Sequence, residues 1–209
     1  MKAKGFTLIE LLVAISILAI VAVLGWRGLD SIIRARIALT EQLDETRGMQ
    51  LTFAQMQSDC ANVVPALVIG SRPQLMADSE RIRLVRTVFA DDQPSRLEVV
   101  VYRLKDGVLS RRESIATRDL KQLDTLWSST ADDTDGTQPV VLQSGVTSMA
   151  MRMWLGNGPW QTDAAPSVTT KPAVPGQASN STALRGLEVT LQTKSSEAPM
   201  LKVFLVGPV

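Results

Sequence analysis

From Phe6 to Trp26 the chain is apolar at almost every position, and only Thr7, Glu10 and Ser16 interrupt it. At about 1.5 Å of rise per residue, such a run reaches roughly 30 Å as a helix, the thickness of a bilayer's hydrocarbon core. Its even apolarity predicts a helix surrounded by lipid. Glu10 is the anomaly. A carboxylate within a membrane-length helix is costly, so it is expected to have a purpose and a partner. No basic residue of this chain stands close enough in sequence to be that partner.

Past Trp26 the pattern becomes one-sided. Leu29, Ile32, Ile33, Ile37, Leu39, Leu43, Gln50, Phe53, Met56, Cys60 and Val63 recur at three- and four-residue steps. This spacing predicts an amphipathic helix with one buried stripe, running to about Val64, where Pro65 stops it. Arg34, Glu41, Asp44, Glu45 and Arg47 fall mostly off the stripe, and Asp30–Arg34 and Asp44–Arg47 are favourable helical pairs. With no proline between them, the two segments form one long helix, and Gly25 and Gly28 are its natural bending points.

From Arg81 the period becomes two. Arg81–Phe89 reads as a strand, and Leu97–Leu104 and Val108–Glu113 flank Lys105-Asp106-Gly107, a strong hairpin signal. The pair Asp91-Asp92, followed by Pro94, reads as a turn. Val140–Leu142 and Val146–Trp154 add strand material around a bend at Gly145. Met149, Met151 and Met153 alternate along the second of these as packing residues. Gly186–Thr193 and Pro199–Val206 predict a final antiparallel pair. One helix followed by strands is an α+β arrangement, with antiparallel sheet packed against the helix. The Ala-, Pro-, Ser- and Thr-rich stretch Gln161–Ala183 reads as a long loop.

Composition narrows the chemistry. The 209 residues carry 22 Lys and Arg against 21 Asp and Glu, a net charge of +1 that gives no electrostatic reason to expect nucleic acid. The absence of His removes the commonest zinc ligand and general base. A single cysteine, Cys60, excludes an intrachain disulfide and reads as a small apolar residue on a helix face. Sparse aromatics argue against a stacking surface. Asp132-Asp133-Thr134-Asp135-Gly136 resembles the start of a calcium loop, but Ala131 and Leu142 occupy its first and twelfth ligand positions, so a solvated turn is expected. Asn180-Ser181-Thr182 fits a glycosylation acceptor only as a string. No nucleophile elbow, P-loop or Cys/His arrangement is present, so neither an enzyme nor a cofactor or metal is expected.

The N-terminus suits no ordinary targeting signal. The apolar run is too long for a cleaved secretory core, a plain signal anchor leaves Glu10 without a role, and twin-Arg and lipobox residues are absent. Charge does not orient it, because Lys2 and Lys4 precede the span while Arg27, Arg34 and Arg36 follow it. The segment Lys4-Gly5-Phe6-Thr7-Leu8-Ile9-Glu10 resembles the class III signal of type IV pilins and type II secretion pseudopilins. The resemblance implies cleavage by a prepilin peptidase between Gly5 and Phe6, N-methylation of Phe6, and an assembly role for Glu10. That role is to neutralise the terminal amine of a neighbouring subunit. Glycine suits the cleavage position because the peptidase can approach its backbone without meeting a side chain.

Gly25-Trp26-Arg27-Gly28-Leu29-Asp30-Ser31, Leu51–Asp59, Val100–Leu104 with Gly107–Arg111, Leu142–Val146, Trp160 and Leu184–Leu191 are similar to segments of one branch, the J-type minor pseudopilins. The stretches Asp119–Pro139 and Gln161–Ala183 depart from that branch. The resemblance implies a leader at 1–5, a transmembrane assembly helix at 6–26, an amphipathic stalk at 27–64 and a periplasmic β domain at 65–209. It implies a structural role at the pseudopilus tip, priming assembly with I- and K-type partners, the H-type and the major pseudopilin. Contact with secreted proteins or the secretin is implied as well, from an inner-membrane anchor. The alternative within the superfamily is a minor type IV pilin acting in pilus assembly, adhesion, motility or DNA uptake.

Overall fold

The computed structural model describes residues 7–130, 136–156, 158–162, 183–196 and 198–207. In chain order the elements are α1 (Leu8–Ala61), α2 (Ala66–Ile69), β1 (Leu75–Asp78), β2 (Arg81–Ala90), β3 (Gln93–Lys105), β4 (Val108–Glu113), α3 (Leu120–Ser129), β5 (Val140–Ser144), β6 (Val146–Leu155), β7 (Trp160–Gln161), β8 (Leu184–Thr193) and β9 (Met200–Leu205). A long N-terminal helix and antiparallel sheets make this the expected α+β arrangement. The chain divides into two compact units, Met1–Thr46 and Arg47–Val209.

The described part of the first unit is the N-terminal portion of α1. Its first turns are long and apolar enough to cross a membrane, and its large apolar side chains stand exposed. Exposure continues past Trp26 through Leu29, Ile32, Ile33, Ile37, Leu39 and Leu43. The expected buried stripe is therefore not buried over this stretch. Asp30 and Arg34 form the i,i+4 ion pair that their spacing predicts.

In the second unit the end of α1 packs through Met49, Thr52, Met56, Asp59 and Cys60. Gln50, placed on the stripe by spacing, is exposed, while Met49 and Thr52 take the inward positions. Thr52 satisfies its hydroxyl by donating to Gly48 O at 2.9 Å. The helix ends at Ala61, short of the expected Val64. There the backbone turns extended and pairs with β2: Thr87 N donates to Asn62 O at 2.8 Å and Val64 N to Val85 O at 2.9 Å. The residue before Pro65 is in any case steered out of the helical region.

Five strands form one sheet in the order β1-β2-β3-β4-β5, and four form a second in the order β7-β6-β8-β9. The Asp106-Gly107 loop closes the β3–β4 hairpin with both residues at positive φ, 52° and 77°, the geometry of a two-residue type I′ turn. Asp91 and Asp92 do form the turn before β3, but Pro94 lies inside the strand. Gly145, at φ 75°, is where the chain leaves the first sheet, so β5 and β6 are consecutive without being paired. The final antiparallel pair is β8 and β9, from Gly186↔Leu205 to Leu191↔Met200.

The first sheet is covered on both faces. Ile82, Leu84, Val100, Tyr102 and Leu109 point into the main core, where they join Met49, Met56 and Cys60 of α1, Met149, Met151 and Met153 of β6, and Leu187, Val189 and Phe204. The alternate residues Val85, Leu97, Val99 and Val101 point the other way, onto Leu120, Leu123, Leu126 and Trp127 of α3. Period-two alternation marks only one buried face, which is why β3 reads as a nearly continuous apolar run. Neither α3 nor β1 was expected. The signal for α3 was available: Asp119 caps it by accepting from Lys121 N at 2.8 Å, and Leu120, Leu123, Leu126 and Trp127 follow at helical spacing.

A buried ionic cluster ties α1 to the first sheet. The Asp59 side chain is fully buried. Its Oδ1 accepts from Arg86 Nη1 at 2.8 Å and from Arg111 Nη2 at 3.2 Å. Its Oδ2 accepts from Arg111 Nε at 2.8 Å and from the Tyr102 hydroxyl at 2.5 Å. Arg86 in turn donates to Glu98 Oε2 at 2.9 Å, and Arg111 donates to Glu113 Oε2 at 2.8 Å. Burial first, and then the Asp59 carboxylate, push the Tyr102 phenol well above its ordinary value, so it stays protonated and donates. Asp59→Ala would leave two guanidiniums facing each other. It should lower the unfolding free energy of residues 27–209 by about 3–5 kcal/mol in urea titrations. Exposed Gln57→Ala should change it by less than about 0.5 kcal/mol.

Cys60 is buried and unpaired, as its helix-face reading predicts. Burial, and then the neighbouring Asp59 charge, push its thiol up to about 12. Below its ordinary pKa the thiol is neutral in both folded and unfolded chains and costs no stability. As pH rises above that value only the unfolded chain ionises freely, so stability falls. At pH 8 alkylation of Cys60 by iodoacetamide should require unfolding, and its rate should rise with urea in step with the circular dichroism transition.

Candidate assembly site

The expected site residues are Gly5, Phe6 and Glu10. Gly5 and Phe6 lie outside the described residues; Glu10 lies in the first turn of α1. There it meets Thr7, the residue just before the helix. Glu10 Oε2 accepts from Thr7 N at 3.1 Å and from Thr7 Oγ1 at 2.9 Å, and Glu10 N donates to Thr7 Oγ1 at 3.4 Å. This is a reciprocal capping box: the Ser/Thr-x-x-Glu pattern satisfies N-terminal backbone donors that the helix itself cannot. Thr7-Leu8-Ile9-Glu10 carries that signature in its sequence alone.

Glu10 therefore has a hydrogen-bond partner in its own chain, which the sequence reading did not anticipate. The partner is neutral, and both bonds fall on Oε2. Among the described residues no bond reaches Oε1 and no cation pairs with the carboxylate. The third polar side chain of the segment, Ser16, donates back to Leu12 O at 2.8 Å. All three interruptions are thus satisfied within the helix, which suits a lipid surrounding that offers no hydrogen bonds. Among the described residues, what remains unsatisfied is the charge of Glu10. A carboxylate held by its cap, with one oxygen open, is suited to receive a single ammonium.

Among the described residues no group of His, Cys, Asp or Glu could hold a metal ion. The Asp132–Asp135 turn and the Asn180-Ser181-Thr182 string lie outside the described residues. A cleft lined by Arg72, Leu123, Asp124, Trp127 and Ser128 has its one carboxylate engaged by Arg72 at 2.6 and 2.9 Å. A second, beside Asp78 and Ser79, is lined mainly by Ala77, Met149, Met151 and Met153. Gln161, the first residue of the expected loop, lies in β7 and pairs with Met153 of β6.

Comparison with known proteins matches two successive segments of the chain. Residues 1–26 match the family model of the prokaryotic N-terminal methylation motif. Residues 27–206 match that of type II secretion system protein J. The chain is 27% identical over 220 residues to the type II secretion system protein J of Klebsiella pneumoniae, covering 99% of this chain and 96% of that one. It is 30% identical over 122 residues to the protein J of Escherichia coli, covering 51% of this chain and 61% of that one.

Proposed function

The chain belongs to the type II secretion system protein J family and is a minor pseudopilin of type II secretion; we propose that it acts at the tip of the pseudopilus, priming its assembly. The minor type IV pilin alternative is not favoured, because the protein J model covers the region beyond Trp26 that separates the two readings. A prepilin peptidase cleaves the precursor between Gly5 and Phe6, and Phe6 becomes the N-methylated terminus. The anchor lies in the inner membrane with the β domain in the periplasm. I- and K-type minor pseudopilins, the H-type and the major pseudopilin are the partners, and secreted proteins or the secretin are met transiently at the tip.

The observation that supports assembly through this helix is the state of Glu10: hydrogen-bonded by Thr7, yet without a countercharge among the described residues, in a segment apolar enough to span a membrane. The methylated amine of a neighbouring subunit's terminus is a cation of the right charge, delivered at the same depth in the bilayer. Pairing the two in a low-dielectric setting removes two isolated charges at once, and it fixes the axial stagger of adjacent helices.

The capping and charge roles of Glu10 separate by substitution. Glu10→Gln keeps a residue able to complete the box but removes the charge; Thr7→Ala removes the box and keeps the charge. Incorporation into pseudopili, measured by shearing and immunoblot, should fall on the order of tenfold for Glu10→Gln and far less for Thr7→Ala. The opposite order would assign Glu10 to helix capping alone. Gly5→Leu should stop processing and leave full-length precursor in the inner membrane. Mature protein from that variant would contradict cleavage at Gly5.

A further inference from the structure

In the first unit, beyond the apolar run, Leu29, Ile32, Arg36, Leu39 and Leu43 follow one another at steps of three, four, three and four residues. That is the a/d pattern of a helix-pairing seam. Leu29, Ile32, Leu39 and Leu43 are each more than half exposed. Arg36 sits at the middle of the seam, at an a position. Its side chain forms no ion pair or hydrogen bond among the described residues, whereas its backbone oxygen also accepts from Thr40 Oγ1 at 2.9 Å.

The four carboxylates of this stretch are all elsewhere. Asp30 and Asp44 fall at b positions, Glu45 at c and Glu41 at f, on the outer side of the helix. The e and g positions that flank the seam are Ile33, Thr40, Ala35 and Gln42, all uncharged. A second copy of this chain paired along the seam would therefore bring Arg36 against Arg36 or against leucine and isoleucine, with no acid within reach. Shifting the pair along the axis does not help, since no a, d, e or g position between Leu29 and Leu43 carries a carboxylate. A lone charge at an a position selects against partners that cannot neutralise it.

We propose that the seam Leu29-Ile32-Arg36-Leu39-Leu43 docks the helix of a different subunit, one that carries a carboxylate within its own apolar seam opposite Arg36. The proposal rests on the assembly reading given above, which brings membrane-anchored helices side by side and parallel. Arg36 lies ten residues past Trp26, about 15 Å beyond the apolar run of its own helix, and the partner's carboxylate is expected at that height once the axial stagger between the two helices is applied. Its guanidinium would form a charge-assisted bond there while the leucines and isoleucines close around it. Arg36 is then a specificity residue: it makes self-pairing unfavourable and heterologous pairing favourable through one side chain.

The test uses the full-length chain in membranes, co-expressed with the other pseudopilins of its secretion system, with a photo-crosslinking residue at Leu39. The expected adduct joins this chain to a different pseudopilin whose seam bears a carboxylate at the matching height. Arg36→Glu should reduce that adduct roughly tenfold or more, with the level of the chain itself unchanged by immunoblot. Replacing the partner's carboxylate by lysine should restore it, and Arg36→Leu should raise the adduct of this chain with itself. An adduct insensitive to Arg36→Glu, or a wild-type chain that crosslinks mainly to itself, overturns the proposal. Glu10→Gln, run in parallel, keeps the two readings apart. Loss with Glu10→Gln but not with Arg36→Glu rejects the seam and retains the assembly role of Glu10. The reverse retains the seam and rejects that role.

Discussion

The second unit depends on the fully buried carboxylate of Asp59. Asp59 lies in the last turn of α1, where the helix dipole already disfavours negative charge, and its side chain has no contact with solvent. It is tolerable because β2, β3 and β4 each send it a donor, Arg86, Tyr102 and Arg111, with a longer contact from Gln55 of α1 beside them. The dependence runs both ways. Without Asp59 those strands would hold two guanidiniums on one sheet face, with only the more peripheral Glu98 and Glu113 to compensate. Apolar contact alone tolerates sliding of a helix over a sheet, since leucine and methionine pack in many registers. Donors meeting both oxygens of one carboxylate permit one register. The same turn also receives the end of the chain, where Gly207 N donates to Cys60 O at 3.0 Å.

Much of this was legible in the sequence, and the exceptions share a cause. The β3–β4 hairpin was readable because Asp106-Gly107 encodes its own turn, whatever surrounds it. The β6 methionines were readable because a strand with one buried face keeps its period. β3 was harder: α3 covers the face of the sheet opposite the main core, so Val99, Val100, Val101 and Tyr102 are all buried and the alternation vanishes. The stripe on α1 was misplaced for a related reason. Spacing identifies which residues share a face but not what covers it, so Leu29 to Leu43 and Met49 to Val63 look alike as letters. Only the second set meets a sheet. Asp59 was invisible as a core residue because burial of a carboxylate requires partners 27 and 52 positions further along the chain.

At the N-terminus the legible part was charge and the hidden part was local geometry. An acid in an apolar helix is conspicuous, and it directs attention to distant cations. Thr7 three residues earlier is the partner that the first turn supplies at little cost in chain entropy, because Thr7 adjoins the helix and the backbone of Glu10 is fixed within it. The cap explains why a glutamate can remain in place there before assembly. It does not neutralise the residue, so the box and the proposed amine contact are complementary and use different capacities of one side chain.

Satisfied and unsatisfied charges therefore divide the labour of the chain. Where burial is permanent, as around Asp59, leaving any charge uncompensated would oppose folding, and the cluster is closed by residues of this chain. Where an apolar surface is exposed and awaits a neighbour, an uncompensated charge opposes only the wrong neighbour. Glu10 and Arg36 have that character, one acidic and one basic, each set in an apolar stretch of α1 with no countercharge among the described residues. Greasy helices attract one another with little selectivity, since one leucine face resembles another. A single charge on each face turns that attraction into a choice of partner and of axial register, because the wrong choice leaves the charge without its counterpart in a poorly solvated seam. On this logic the sparse polar residues of α1 determine which helices it joins, and the apolar majority determines how firmly.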